Sequence, residues 1–503
     1  MRKLLALALA CLTSVCLLAP TQSVVQSAGQ GATSTAQRLS ARATGQTPLL
    51  ADLRELCDQI GGRPTGSPAC ERAVAWGAAK FRAAGVDNVS VEPFAVPNLW
   101  LGQTAAAECV APEHFPVRLA AAPYSPSTPT RRGRALEAPL VLAGDGSAAA
   151  FARLGPKARG AIALVISTEM KTLDDLFAEY IRNGPLVAAA RKAQVAALLL
   201  QSTRPRGLLY RHPISFVAAP VEMPVAIVAR EHAARLARLA ERGDVRLRLN
   251  LANKTGGAYE AHNVVAEIRG RERPDEVVLL GAHLDSWDLG TGANDNGVNA
   301  ALVIDVARGI KQLGLHPRRT IRFALFTGEE QGMYGSAGYV RRHAAELDKH
   351  IAVVIFDIGS GRTTGFYLNG REELRQPVAS ALRAISWINV SANPPDAIDG
   401  TDNYDFLLSG VPNLVANQDA LPYLPDYHAE SDVFDMVDAK EAQRNAAVAA
   451  ALVWSLADAP QRPAARQSRA EVEQLIKATH LDDQMRAFDQ WADWQKGRRG
   501  VNR

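Results

Sequence analysis

Cysteine is scarce: there are 5 in 503 residues, and two of them, Cys11 and Cys16, lie in the first apolar stretch. Neither of these two follows a lipoprotein-type sequence. Cys57, Cys70 and Cys109 remain, an odd number that allows at most one bridge. Cys57 and Cys70 flank a Gly/Pro-rich turn, and we expect them to pair if the chain is exported. No cysteine cluster suits a zinc–thiolate site, so any metal must be held by histidine and carboxylate. Charge of one sign is also lacking. Lys and Arg number 56 against 52 Asp and Glu, a formal net charge of +4. With no basic run interleaved with aromatics, nothing argues for a nucleic-acid partner. A membrane-length hydrophobic run is missing at the start of the chain. The apolar stretch Leu4–Leu18 follows Arg2 and Lys3, ends at Pro20, and falls short of the roughly 20 residues a spanning helix needs. With Ser23, Ser27 and Ala28 after it, it reads as a signal peptide over residues 1–28. The expected location is secreted or periplasmic, with no stable membrane span after cleavage.

What is present is ordinary for a soluble globular protein: 47% hydrophobic and 21% charged residues. The length implies two or three packed units. Residues 29–46, rich in small polar residues, read as a flexible leader. Residues 47–109 read as the N-terminal part of a catalytic domain, with helical pattern from Leu49 to Ala84 broken by the turn Gly61–Pro68, then a strand at Val89–Phe94. Residues 110–255 are rich in Ala, Val, Leu and Arg. They carry short apolar strands but no cluster of His and acidic residues, and read as a β-rich insert with a covering or gating role. Over 256–459 strands and helices alternate. Apolar runs at Val277–Leu280, Thr320–Phe326, Ala352–Phe356 and Asn413–Ala416 are separated by helical patterns at Val298–Leu313, Ser336–Leu347, Leu374–Ile385 and Ala439–Leu456. The fold class is therefore α/β, a mostly parallel sheet sandwiched by helices. The tail, 460–503, reads as a solvated surface segment with an amphipathic helix near Val472–Trp494.

Potential ligands fall where strands end, the place at which such sheets carry their active sites. Gly281-Ala282-His283-Leu284-Asp285-Ser286-Trp287 closes one strand, and Gly292-Ala293-Asn294-Asp295-Asn296-Gly297 opens the next helix. Phe326-Thr327-Gly328-Glu329-Glu330-Gln331-Gly332 and Phe356-Asp357-Ile358-Gly359 close two more strands. Asp426-Tyr427-His428-Ala429-Glu430-Ser431-Asp432 lies in a later loop. Each motif alone is weak. Together they bring two imidazoles and four carboxylates to one rim, where like charges repel unless a cation holds them. Nitrogen and oxygen ligation without thiolate suits zinc, with cobalt or manganese as alternatives.

In these motifs the chain resembles the co-catalytic di-zinc exopeptidases, which include secreted aminopeptidases and the carboxypeptidase Q type, over most of the mature sequence. The most specific pieces are His283–Trp287, Glu329–Gly332, and Gly400-Thr401-Asp402 followed by Gly410-Val411-Pro412. The resemblance implies two Zn2+ ions, with Asp295 bridging, His283 and Asp357 completing one site, and Glu330 and His428 the other. It implies Glu329 as general base and Asp285 as acceptor of a hydrogen bond from the far nitrogen of His283. It also implies a cis bond between Asp295 and Asn296 and a protease-associated-like nature for the insert. Short peptides are the implied substrates, and a homodimer stays open. Two positions depart from the pattern: Asn296 where relatives often have Asp, and Asn403 where many have His. Tyr404 and Tyr427 are candidate oxyanion donors, and Arg362 is a candidate reader of a substrate carboxylate. A glutaminyl cyclase-like enzyme and a non-catalytic binding relative are the alternatives.

Overall fold

The computed structural model describes residues 34–129 and 135–501; the signal peptide expected over 1–28 lies outside them. The site-bearing sheet has seven strands, in the order Asn88–Val96, Tyr259–Ile268, Arg319–Phe326, Arg273–His283, His350–Ile355, Asn413–Gln418, Thr363–Tyr367. The four strands from Arg319–Phe326 to Asn413–Gln418 run parallel, and antiparallel pairs flank them on both sides.

Alternation of side chains along each strand builds two cores. Val278, Leu280 and Ala282, with Ile321, Phe323 and Leu325, face helices Val298–Gln312 and Ala439–Asp458. Leu279, Ala324, Phe326, Val353 and Ile355 face the other way, onto Tyr339, Val340 and Phe406. Both faces are covered, which is why these strands read as continuous apolar runs.

The segment expected to be a flexible leader is helical over Thr35–Ala43. Ala36, Leu39 and Ala43 follow helical spacing and pack into the same core as helix Ala439–Asp458. Ser40 adds a hydrogen bond from its hydroxyl to the Ala447 carbonyl at 3.1 Å. The small polar residues between them hid this stripe.

Between the first two strands of the seven-stranded sheet, the chain forms a second sheet of eight strands. It begins with Leu99–Ala111 and ends with Arg246–Gly256, paired with each other. It thus starts earlier than the expected insert boundary near 110.

The tail is not a solvated helix. Helices Arg469–Ala478, Leu481–Ala487 and Trp491–Gln495 bury Val472, Ile476, Leu481, Met485 and Trp494 against Met333, Tyr404, Leu407 and Leu408. Arg499, buried, donates to the carbonyls of Gly332 (2.5 Å) and Met333 (3.4 Å) and pairs with Asp405 at 2.8 Å. The charged residues between these anchors masked the apolar stripe.

The expected disulfide is absent. Cys57, Cys70 and Cys109 are free, buried thiols. Cys57 belongs to the core beside Leu53 and Leu56, while Cys70 lies 4.0 Å from the Thr65 hydroxyl. Burial pushes the Cys57 thiol up to about 11 and raises Cys70 as well, so both stay protonated and unreactive. Hydrogen bonds from Arg63 tie the intervening turn down instead. Among the described residues no helix is long and apolar enough to cross a membrane.

Candidate active site

The parallel strands deliver their ends to one rim. His283 ends its strand, Glu329 and Glu330 follow Phe326, and Asp357 follows Phe356. Asp295 sits in the turn entering helix Val298–Gln312, and His428 lies in the loop before helix Ala439–Asp458.

The structure brings all five proposed ligands together, in two groups that share Asp295. His283 Nε2 lies 3.2 Å from Asp295 Oδ1 and 2.9 Å from Asp357 Oδ1. His428 Nε2 lies 3.3 Å from Asp295 Oδ2 and 2.9 Å from Glu330 Oε2. The ligand atoms of His283, Asp295 and Glu330 fall within 4.8 Å of one another.

All five are buried, and Asp295 Oδ2 and Glu330 Oε1 have no hydrogen-bond partner. Such orphaned carboxylate oxygens are costly unless a cation meets them. Burial, reinforced by the Asp295 charge, pushes Glu330 well above the usual carboxylate range. Burial likewise raises Asp357. Burial works against Asp295 too, but His283 and His428 overcome it and hold its carboxyl low. Burial pushes His428 down to about 4, leaving a neutral imidazole suited to ligation. The donor set fits divalent cations.

A tight supporting layer surrounds these side chains, and much of it was not visible in the sequence. Arg63, fully buried, donates to the carbonyls of Leu284, Thr291 (2.7 Å) and Gly292 (2.8 Å), tying the His283 and Asp295 segments together. Gly292 has φ +63°, and a Cβ there would meet the Ser286 side chain at 2.3 Å. Thr65 donates to Asp285 Oδ2 and accepts from the Gly328 amide, both at 2.8 Å. Asp432 accepts from the amides of Asn294 (2.7 Å) and Asp295 (3.1 Å).

The far nitrogen of His283 meets the backbone carbonyl of Asp285 at 3.0 Å, whereas the carboxylate is 3.6 Å away. The expected contact is therefore made chiefly by the main chain. The Asp295–Asn296 bond is cis, as the resemblance implied. The Asn296 amide donates to Asp357 Oδ1 at 2.9 Å, a contact an ionised Asp could not make.

Glu329 is partly exposed, lining a cavity of ≈ 190 Å³ with His283, Asp295, Glu330, Asp357 and His428. Tyr427 lines it too, stacked on His428 with centroids 3.7 Å apart, its hydroxyl accepting from Tyr180 at 3.0 Å. Tyr423, unremarked in the sequence, faces the cavity beside Asp295. Three candidates lie off the cavity wall. Asn403 donates to Ile398 O and Asn413 Oδ1. Tyr404 packs under Arg499. Arg362 reaches Ile388 O at 3.5 Å.

The inserted sheet contributes directly. The Arg211 carbonyl accepts from His428 Nδ1 at 3.1 Å, and its amide donates to the His428 carbonyl at 3.0 Å. The Arg211 guanidinium forks onto Asp288 at 2.7 and 2.8 Å and donates to Ala121 O at 2.7 Å. Arg211→Ala keeps the main-chain contacts to His428 but deletes the fork that holds them in place, and should weaken zinc binding by up to about 10-fold, the low end of the cost of losing a ligand's outer support. Calorimetric titration of zinc into the metal-free variant checks this. Unchanged affinity at both sites would refute it.

A rim of buried imidazole and carboxylate on an α/β sheet, with a free glutamate beside it, defines a metal-dependent hydrolase. Peptidase family M28 matches residues 263–453. Carboxypeptidase Q of Bos taurus is 30% identical over 406 residues, covering 80% of this chain and 84% of that protein. A peptidase M28 precursor from Shewanella amazonensis SB2B superposes with a TM-score of 0.75 at 27% identity, covering 85% of this chain and 97% of that one. The zinc aminopeptidase BSAP of Bacillus subtilis shares the fold, with a TM-score of 0.64 at 21% identity over 81% of this chain and 93% of that one. The chain belongs to peptidase family M28 and is a metallo-exopeptidase.

Proposed function

We propose that this protein removes terminal residues from short peptides using two zinc ions, one held by His283, Asp357 and Asp295 and the other by Glu330, His428 and Asp295. Cobalt or manganese could replace zinc in such a donor set. The observation that carries this reading is the placement of Asp295, whose two oxygens each face a different imidazole, at 3.2 and 3.3 Å.

When bound, the ions supply Lewis-acid activation of a water and of the scissile carbonyl. The chain's own residues do the rest. Glu329, beside the ligands but paired with neither imidazole, takes the proton of the attacking water and returns it to the leaving amine nitrogen. The Asp285 carbonyl fixes the His283 tautomer so that Nε2 faces Asp295 and Asp357, and the Arg211 carbonyl does the same for His428. The insert supports His428 through the Arg211 loop and lines the cavity with Tyr180 and Phe216, which supports a protease-associated-like role. The signal-like N-terminus supports action outside the cytoplasm.

The test is metal per chain measured with turnover of an unblocked dipeptide. We expect two equivalents, loss of turnover on chelation, and recovery on adding zinc. Full turnover in metal-free protein would overturn the reading.

A further inference from the structure

The cavity over the candidate ligands has a wall drawn from the end of the chain. Phe488 and Gln490 of the tail line it together with the ligand side chains. Phe488 is buried and packs on Phe216 of the insert, with ring centroids 4.4 Å apart. Asp489 between the two tail residues has φ +59°, a left-handed conformation that Asp adopts more readily than most residues. Arg499 fixes the end of the tail to the carbonyls of Gly332 and Met333, in the loop that follows Glu330.

A row of rings joins this wall to the candidate metal site. Tyr427 stacks on His428, with centroids 3.7 Å apart, and its hydroxyl accepts from Tyr180 at 3.0 Å. Tyr180 meets Phe216 edge-on at 4.9 Å, and Phe216 meets Phe488. Every ring of the row lines the cavity. An extended peptide advances roughly 3.5 Å per residue, so one lying along the row reaches Phe488 within a few residues of His428. The wall also carries an unused polar atom. Gln490 is 1% exposed, and its Oε1 has no hydrogen-bond partner. A buried acceptor without a donor is costly, and a peptide N–H supplies one.

We infer that the C-terminal tail is the end wall of the substrate cavity: Phe488, closed against Phe216, limits the length of the peptide, and Gln490 accepts a hydrogen bond from a peptide N–H that reaches it. This rests on the exopeptidase reading above and narrows the substrate class to peptides of about two or three residues. Two segments far apart in sequence, the insert and the tail, thus set substrate length jointly.

The experiment measures initial rates of alanine release from alanine peptides of two to five residues, on the zinc-loaded wild type and on Phe488→Ala, Phe216→Ala and Gln490→Leu, with metal content and thermal unfolding checked for each. In the wild type kcat/KM should fall by about 10–100-fold from the dipeptide to the pentapeptide, the range that an apolar misfit costs. Phe488→Ala and Phe216→Ala open the wall from opposite sides and should each shrink that ratio to about threefold or less by relieving the misfit. Gln490→Leu should raise KM for the tripeptide by about 3–10-fold, the worth of one neutral hydrogen bond, with kcat and metal content much less affected. Should one phenylalanine variant fail to fold, the other carries the comparison. Length-independent cleavage by the wild type would overturn the wall while leaving the exopeptidase reading intact. An unchanged length ratio in a folded phenylalanine variant, or an unchanged KM in folded Gln490→Leu, would overturn it too. If the zinc-loaded wild type cleaves none of the peptides, the exopeptidase reading falls and this inference with it.

Discussion

Glu329→Gln is expected to lower kcat by about 10²–10⁴-fold, the range that general-base catalysis contributes, with metal content and KM close to wild type. Glu329 and Glu330 are neighbours whose side chains do different things. Glu330 Oε2 sits 2.9 Å from His428 Nε2, within the ligand cluster. Glu329 lines the cavity and pairs with neither imidazole. Burial, with Asp357, Glu330 and Asp402 nearby, holds the Glu329 carboxyl well above the usual range, although His283 opposes this. Glutamine matches its size but cannot accept the water's proton, so the loss belongs in the chemical step. Glu330→Gln is the control, because it removes a charged ligand and should release metal. The comparison needs single-turnover rates and metal occupancy on both variants. Near-full turnover in Glu329→Gln, or metal loss equal to that of Glu330→Gln, would reverse the assignment.

Asp295→Ala should be more damaging still, with turnover at background and neither ion retained. Each oxygen of this carboxylate faces a different imidazole, so one truncation opens both groups at once. His428→Ala, by contrast, should spare the His283–Asp357 group and retain one equivalent. In both variants the backbone around Asp295 stays anchored by Asp432 and by the Arg63 hydrogen bonds to Thr291 and Gly292. The losses are therefore local, and far-ultraviolet dichroism should be unchanged. Metal analysis after dialysis distinguishes the two. If Asp295→Ala keeps two equivalents, the shared-carboxylate arrangement is wrong.

The central strands and the ligand-bearing strand ends were legible because burial on both faces leaves long apolar runs, and polar residues that interrupt them stand out. The strand Tyr259–Ile268, next to the edge, was less visible, since Glu260, His262 and Glu267 break its pattern. The supports of the ligands were harder to read. Arg63, Tyr180 and Arg211 reach the site from a turn, a helix and a loop far away in sequence, and nothing local marks them. The tail misled for a related reason. Its three short helices expose most of their charged residues while burying Val472, Ile476, Met485 and Trp494, and its last turn orders the loop after Glu330 through Arg499. The expected disulfide failed because proximity along the chain says little about where two thiols point: Cys57 faces the helical core and Cys70 faces Thr65.

The edge strand Asn88–Val96 of the peptidase sheet pairs with Tyr259–Ile268, across residues 97–258. Closing so distant a pair costs little extra in equilibrium entropy, but non-local pairing is slow to form. The inserted sheet shortens that search. Its outer pair aligns Leu99 with Gly256, and Val96 meets Tyr259 a few residues further out along the same two chain segments. Once the inserted sheet has formed, the two peptidase strands emerge side by side and in register, and the edge can zip from that point. A late-folding insert would leave the hydrogen-bonding edge of Tyr259–Ile268 bare, a template for pairing between nascent molecules. Early formation of the inserted sheet is therefore expected to speed closure of the peptidase sheet and to protect its edge during synthesis.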